Sequence, residues 1–168
     1  MNTDPEPPTD VEAFWNLARF HAKFNAAPTY FGPTTLEVVP PPAWSFGATS
    51  EHADELLRLV LEGTKTATAT ALWDFEAEGE ELPQADTLSI ILDGSGHPRA
   101  LIESTDIRVV PFDEVDEQHA WLEGEGDRSL AHWRDVHERF FTEHAVHERG
   151  FARDMPVVLE RFKVVYQD

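Results

Sequence analysis

The 168-residue sequence contains no cysteine and only two methionines. The first absence excludes disulfide frameworks, Cys-ligated zinc and thiol nucleophiles, and it agrees with a reducing cytoplasm as the expected compartment. No apolar run approaches the roughly 20 residues that span a bilayer. The opening "MNTDPEPPTD" lacks the basic and apolar regions of a signal peptide, so no membrane partner is expected. Positive charge is scarce: 13 basic residues face 32 acidic ones, a formal net charge of −19. Such a chain repels long polyanions, which excludes duplex DNA as a partner and leaves a small ligand or a short, accessible RNA.

Motifs of nucleotide and hydrolase chemistry are missing too. "GTKT" fails as a phosphate-binding loop: a threonine separates Gly63 from Lys65, a helical pattern precedes them and a strand pattern follows. No G-x-G-x-x-G, G-x-S-x-G or H-E-x-x-H pattern occurs.

What is present is enough for one folded domain. Hydrophobic residues make up 41%, with five Trp and eleven Phe, so the chain can bury a core. Residues 1–9 read as a solvated acidic tail. Residues 10–43 read as an N-terminal helix, with Asp10 placed to cap it, and a connector packed on the body. From Pro28 to Pro42 that connector holds five prolines and must be largely extended. Residues 44–168 form the main domain.

Within it, Thr49 or Ser50 caps a helix whose Ala53, Leu56, Leu57, Val60 and Leu61 make one apolar stripe, and Gly63 stands at its end. "TKTATATALW" then alternates as a strand, with Thr66, Thr68 and Thr70 on one face and alanines on the other. "TLSIILD" and "RALIESTDIRVV" flank a glycine-containing turn and predict a hairpin. A helix is expected from about Asp116 to Glu123. Another starts at Asp127 or Ser129, and "MPVVLERFKVVY" closes the chain as a strand. Helices, strands, helices and a final strand predict an α+β fold.

Four groups of residues bear on chemistry. Lys65 follows a helix end, where an ammonium meets the last carbonyls and the negative end of the dipole. Alternatively, partial burial makes it a proton acceptor beside the Thr68 hydroxyl, given a turn near Gly63. Glu103 interrupts the apolar "ALIES" run. Either it faces solvent, or it enters a pocket, pairs with Lys65 and works as an acid or base. Asp127, Arg128, Ser129 and Trp133 in "EGEGDRSLAHWRDVHERFF" read as a loop and a capped helix with an aromatic core face, or as the lining of a site with a surface for stacking a base. His137, His144 and His147 share helical spacing but lack a closing ligand set, so no metal site is expected there.

The stretches "AWSFGATSEHADELLRLVLEGTKTATATALWDFE" and "EGEGDRSLAHWRDVHERFF" resemble the ASCH domain, the activating-signal-cointegrator homology family of the PUA-like superfamily, in its larger bacterial form. Its G-x-K-x-x-T signature appears here as Gly63, Lys65 and Thr68. The resemblance spans roughly residues 44–166. It implies a small mixed PUA-like β-barrel surrounded by helices, with a cleft for RNA or a nucleobase. It also implies an amidohydrolase that removes the acetyl group of N4-acetylcytidine with a Lys, Thr, Glu set, here Lys65, Thr68 and Glu103. Gly63, Thr66, Asp127, Ser129, Trp133 and Arg134 are the expected substrate-binding residues. No cofactor is required on that reading. Other ASCH proteins bind or cleave RNA, and a divalent metal enters only under the ribonuclease reading.

Overall fold

Thr49 and Gly63 bracket the helix that the sequence marks most clearly. A computed structural model describes residues 9–21 and 39–168. In it, Thr49 Oγ1 accepts the His52 amide at 3.1 Å and the helix runs Ser50–Leu61. At its end Gly63 takes a φ of 80°, its amide reaches the Val60 carbonyl and the Thr64 amide reaches Leu59. Those two bonds are a Schellman ending, which requires the left-handed conformation glycine adopts without penalty.

The elements in chain order are α1 (Asp10–His21), β1 (Ala43–Trp44), α2 (Ser50–Leu61), β2 (Ala67–Ala71), α3 (Leu72–Glu78), β3 (Leu88–Leu92), β4 (Pro98–Pro111), α4 (Glu117–Glu123), α5 (Leu130–Glu143) and β5 (Pro156–Gln167). A single 3-10 turn, Phe112–Glu114, follows β4. The strands form one mixed sheet in the order β1-β3-β4-β5-β2, with only the β1–β3 pair parallel.

The fold is α+β, with one correction to the expected barrel. The sheet is open among the described residues: β1 and β2 lie at opposite edges and do not pair with each other. Two helix starts also differ from expectation. Thr9, not Asp10, caps α1, through reciprocal bonds between Thr9 and Glu12. "LWDFEAE" leaves the strand and turns into α3. Residues 1–8 of the expected tail, and Pro28 with the rest of the connector up to residue 38, lie outside the described residues.

Side chains alternate across β5 and divide the core by face. Phe162 and Val164 meet Leu56, Leu57 and Val60 of α2 and Phe46 on one side. Val157 and Leu159 face the other, packed with Phe112, Trp133 and Phe141. Farther along that second face, Phe14, Trp15 and Ala18 of α1 cover Ile90 and Leu101. The Thr/Ala alternation of β2 is as the sequence predicts, because Ala69 and Ala71 belong to the Val157–Leu159 cluster.

Candidate active site

After Gly63, three residues, Thr64 to Thr66, lead into β2. Those residues are held by the far end of α4. The Thr66 amide donates to the Leu122 carbonyl at 2.8 Å, and Arg128 donates to the carbonyls of Trp121 and Thr64 while its guanidinium stacks 3.8 Å over the Trp121 ring. Gly124 makes this approach possible. Its φ is 72°, and a Cβ there would lie 2.5 Å from the Thr64 carbonyl oxygen. α4 therefore ends against the start of β2 and delivers Glu123 to Lys65.

Both residues are 1% exposed. The Lys65 ammonium has three N–H donors. It directs them to the Ala67 carbonyl at 2.9 Å, Glu123 Oε1 at 3.3 Å and Glu125 Oε2 at 3.3 Å. The cation thus rests against the peptide that joins Ala67 to Thr68. Phe46 lies beneath it, with the ring centroid 5.5 Å from Nζ.

Glu123 is the centre of the cluster. His119 donates from Nε2 to its Oε2 at 2.8 Å, and the Trp133 indole N–H donates to the same oxygen. His137 Nε2 lies 3.4 Å from Oε1. Burial alone would raise the Glu123 pKa, but His137, Lys65 and the histidine hydrogen bonds together hold it well below the ordinary glutamate value. For His137 burial pulls downward, and Glu123, Glu125 and the Trp133 carbonyl outweigh it, so its pKa is raised. Geometry agrees. His137 Nδ1 faces the Trp133 carbonyl at 2.8 Å and Nε2 faces a carboxylate; neither neighbour can donate, so both ring nitrogens carry protons. Two anions, Glu123 and Glu125, are balanced by two cations, Lys65 and His137.

Of the expected catalytic set, Lys65 and Thr68 stand three residues apart at the start of β2, with Lys65 Nζ bonded to the carbonyl of the Ala67–Thr68 peptide, and Glu103 lies elsewhere. Glu103 lies opposite Lys163 in the β4–β5 ladder, 3.6 Å from its ammonium. It alternates with Ile102, which faces α2, and so shares the face of Leu101 under α1. Glu123 and Glu125 take the position beside Lys65 that the sequence reading gave to Glu103.

The other expected residues are distributed as follows. Thr66 Oγ1 donates to the Leu122 carbonyl. Gly63, Lys65 and Thr66 line a cleft of about 280 Å³ together with Val60, Phe162 and Val164. Ser129 caps α5, and Asp127 accepts the Ser129 amide. The bond to Ser129 lowers the Asp127 pKa. Trp133 is 3% exposed, and its ring is stacked on His137, so it supports Glu123 from inside the core. Arg134 donates to the carbonyls of Asp113 and Val115.

Glu123, Glu125 and His137 each offer one ligand atom within 4.8 Å of the others, which is a set that can hold a metal ion. Lys65 Nζ lies 3.3 Å from both carboxylates, so the ammonium already fills the cation's place. His144 and His147, grouped with His137 in the sequence, fall beyond the end of α5. His147 instead packs on Trp73 and sits 3.8 Å from Asp74.

Three basic side chains on β4 and β5 are each paired with a carboxylate. Arg99 pairs with Asp93 beside the hairpin turn, and Arg108 pairs with Asp106, nine residues or about 30 Å along the same strand. Lys163 pairs with Glu103. No helix among the described residues is long and apolar enough to cross a membrane.

An α+β domain with a buried lysine between carboxylates at a Gly-x-Lys-x-x-Thr junction defines a recognisable class. The profile of the ASCH domain matches residues 42–166, and the chain belongs to that family. It is similar to a protein of known crystal structure from Enterococcus faecalis V583, with 34% identity over 92% of this chain and 87% of that one, and a TM-score of 0.78. The ASCH domain from Lactobacillus crispatus JV V101 is 30% identical over 94% of this chain and 97% of its own, with a TM-score of 0.74. No curated protein matches.

Proposed function

We propose that this ASCH domain is an amidohydrolase acting on N4-acylated cytidine nucleosides or a related small nucleobase amide. The observation that carries the reading is the buried Lys65 ammonium, fixed by Glu123 and Glu125 against the Ala67–Thr68 peptide. A cation so completely satisfied inside a core costs desolvation that an apolar side chain would avoid. A reaction that uses the group supplies a reason to keep it.

In the proposed reaction the Thr68 hydroxyl attacks the acyl carbon, and the C–N bond breaks as the exocyclic nitrogen takes up a proton and leaves as cytidine. Lys65 passes one proton to the Glu125 carboxylate, and the resulting amine accepts the Thr68 proton. Glu123, held by His119, His137 and Trp133, keeps the lysine in place and stabilises the ammonium as it re-forms. Water then cleaves the Thr68 ester and releases the carboxylic acid; Lys65 gives its proton back to the Thr68 oxygen and recovers one from Glu125, which restores the starting state. The charge of −19 favours a small neutral nucleoside over a long RNA.

The purified 168-residue chain, incubated with N4-acetylcytidine in chelator-treated buffer, is expected to release cytidine. Thr68→Val is expected to abolish that release. Absence of release from the wild type would overturn the hydrolase reading and shift the weight to RNA binding or cleavage.

A further inference from the structure

Breaking an amide requires a proton for the departing nitrogen, and Glu103 stands on the wrong face of the sheet to deliver it. Another carboxyl does face Thr68. Glu160 is directly opposite Thr68 in the β2–β5 ladder. Side chains directly opposite in an antiparallel pair share a face, with Cβ atoms roughly 4.5–5.5 Å apart. Two residues farther along β5 is Phe162, whose amide bonds to the Thr66 carbonyl. Thr66 and Phe162 line the cleft. The Thr68–Glu160 row is the next one on that face, roughly 7 Å along the ladder.

Glu160 is only 7% exposed, and Ser104 Oγ lies 2.5 Å from its Oε1. A bulge in β4 brings Ser104 there: the pairing steps from Ser104 to Asp106 and leaves Thr105 out of register. Burial raises the Glu160 pKa, the Ser104 bond opposes this in part, and no charged neighbour enters the balance. The carboxyl therefore keeps its proton to a higher pH than an ordinary glutamate. A leucine at this place would pack against Phe162 without any of these arrangements.

We propose that Glu160 is a further catalytic residue, the acid that protonates the exocyclic nitrogen of the acylated cytosine as its bond to the acyl carbon breaks. This rests on the amidohydrolase reading. As Thr68 Oγ bonds the acyl carbon, the C–N bond breaks and the Glu160 proton goes to nitrogen. The resulting carboxylate is stabilised by the Ser104 hydroxyl. Attacking water returns a proton to Glu160, its oxygen bonds the acyl carbon, and Thr68 leaves with the proton held on Lys65. No oxidant, reductant or further reactant is involved.

The test compares two acyl donors: N4-acetylcytidine, whose amine needs a proton to leave, and p-nitrophenyl acetate, whose phenolate does not. General acid catalysis contributes typically 10²–10⁴-fold, so Glu160→Gln is expected to lose about 10²-fold or more in kcat on the amide. It is expected to keep most of its rate on the ester. Thr68→Val is expected to lose both. The amide pH profile of the wild type should also show an alkaline limb that Glu160→Gln lacks. An equal loss on both substrates, or none on either, would overturn the Glu160 assignment while leaving the hydrolase reading in place. Failure of the wild type on the amide would overturn both. Where Glu160→Gln does not fold, Ser104→Ala serves instead. It is expected to show the same amide-selective loss in smaller degree, and an unselective loss would count against the proposal.

Discussion

Lys65 and Glu123 form an ion pair with both side chains within 2% of complete burial, although 58 positions separate them in the chain. The pair ties the α2–β2 junction to the end of α4, so its loss should be felt by the whole fold. Removing one partner of a buried pair leaves an uncompensated charge, at a cost of about 3–5 kcal/mol. Glu123 also balances His137 and accepts from His119 and Trp133, so Glu123→Ala is expected at the upper end. In a chain of this size each kcal/mol lowers Tm by about 2–4 °C, which places the drop at about 10–20 °C. Thermal melts followed by circular dichroism would measure it. A fall of only a degree or two would mean that the cluster is not an energetic unit.

The same cluster sets a pH dependence with two limbs. The His137 pKa is raised above the ordinary 6.5, so its contribution to stability is complete below 6.5 and lost as pH rises through the raised value. Glu123 is lowered well below 4.5, so its contribution is complete above 4.5 and lost as pH falls through the lowered value. Together they are fully present between about 4.5 and 6.5. The groups facing His137 are Glu123, Glu125 and the Trp133 carbonyl. Urea midpoints measured from that range upward should fall above about pH 6.5 for the wild type and fall less for His137→Gln. Parallel curves for the two proteins would refute the assignment of that limb.

Local signals carried much of this arrangement into the sequence. Thr49, the stripe from Ala53 to Leu61, and Gly63 mark α2 because capping and 3.6-residue periodicity act within a few residues. The Thr/Ala alternation of β2 is legible for the same reason. Its last two expected residues, Leu72 and Trp73, were not, since nothing in "ALW" separates a strand end from the α3 start. Lys65 and Thr68 stand in the signature, whereas the carboxylate beside Lys65 depends on how α4 docks. The His119–Glu123 spacing of four was the available local clue, together with the glycine after it. Glu103 was favoured by chain position, and one step of strand alternation puts it under α1. A bulge that aims Ser104 at Glu160 leaves no mark in a string of letters.

Gly124 tests how closely α4 must approach the junction. An alanine there meets the Thr64 carbonyl at 2.5 Å and also takes a φ of 72°. Gly79 has a similar φ of 67° but nothing within 4 Å of an added Cβ, so it isolates the backbone effect. The left-handed conformation costs a non-glycine residue roughly 1–2 kcal/mol, which is the loss expected for Gly79→Ala. Gly124→Ala should lose distinctly more and should also weaken cytidine release, because Glu123 is carried away from Lys65. Equal destabilisation of the two variants would show that the end of α4 can shift without cost.

The ammonium of Lys65 stands where the three-ligand set would otherwise hold a cation, and this makes the role of metal testable without reference to activity. Replacing Lys65 with alanine vacates that place and leaves Glu123, Glu125 and His137 with ligand atoms within 4.8 Å of one another. Zinc or manganese is therefore expected to raise the Tm of Lys65→Ala and to leave the wild type nearly unchanged. A ligand at 100 times its Kd stabilises by about 2.7 kcal/mol, well within reach of a thermal melt. A variant that also lacks Glu123 should lose the response. A metal-induced rise of equal size in the wild type would mean that the ion displaces Lys65 or binds elsewhere, and it would return the metal-assisted ribonuclease to consideration.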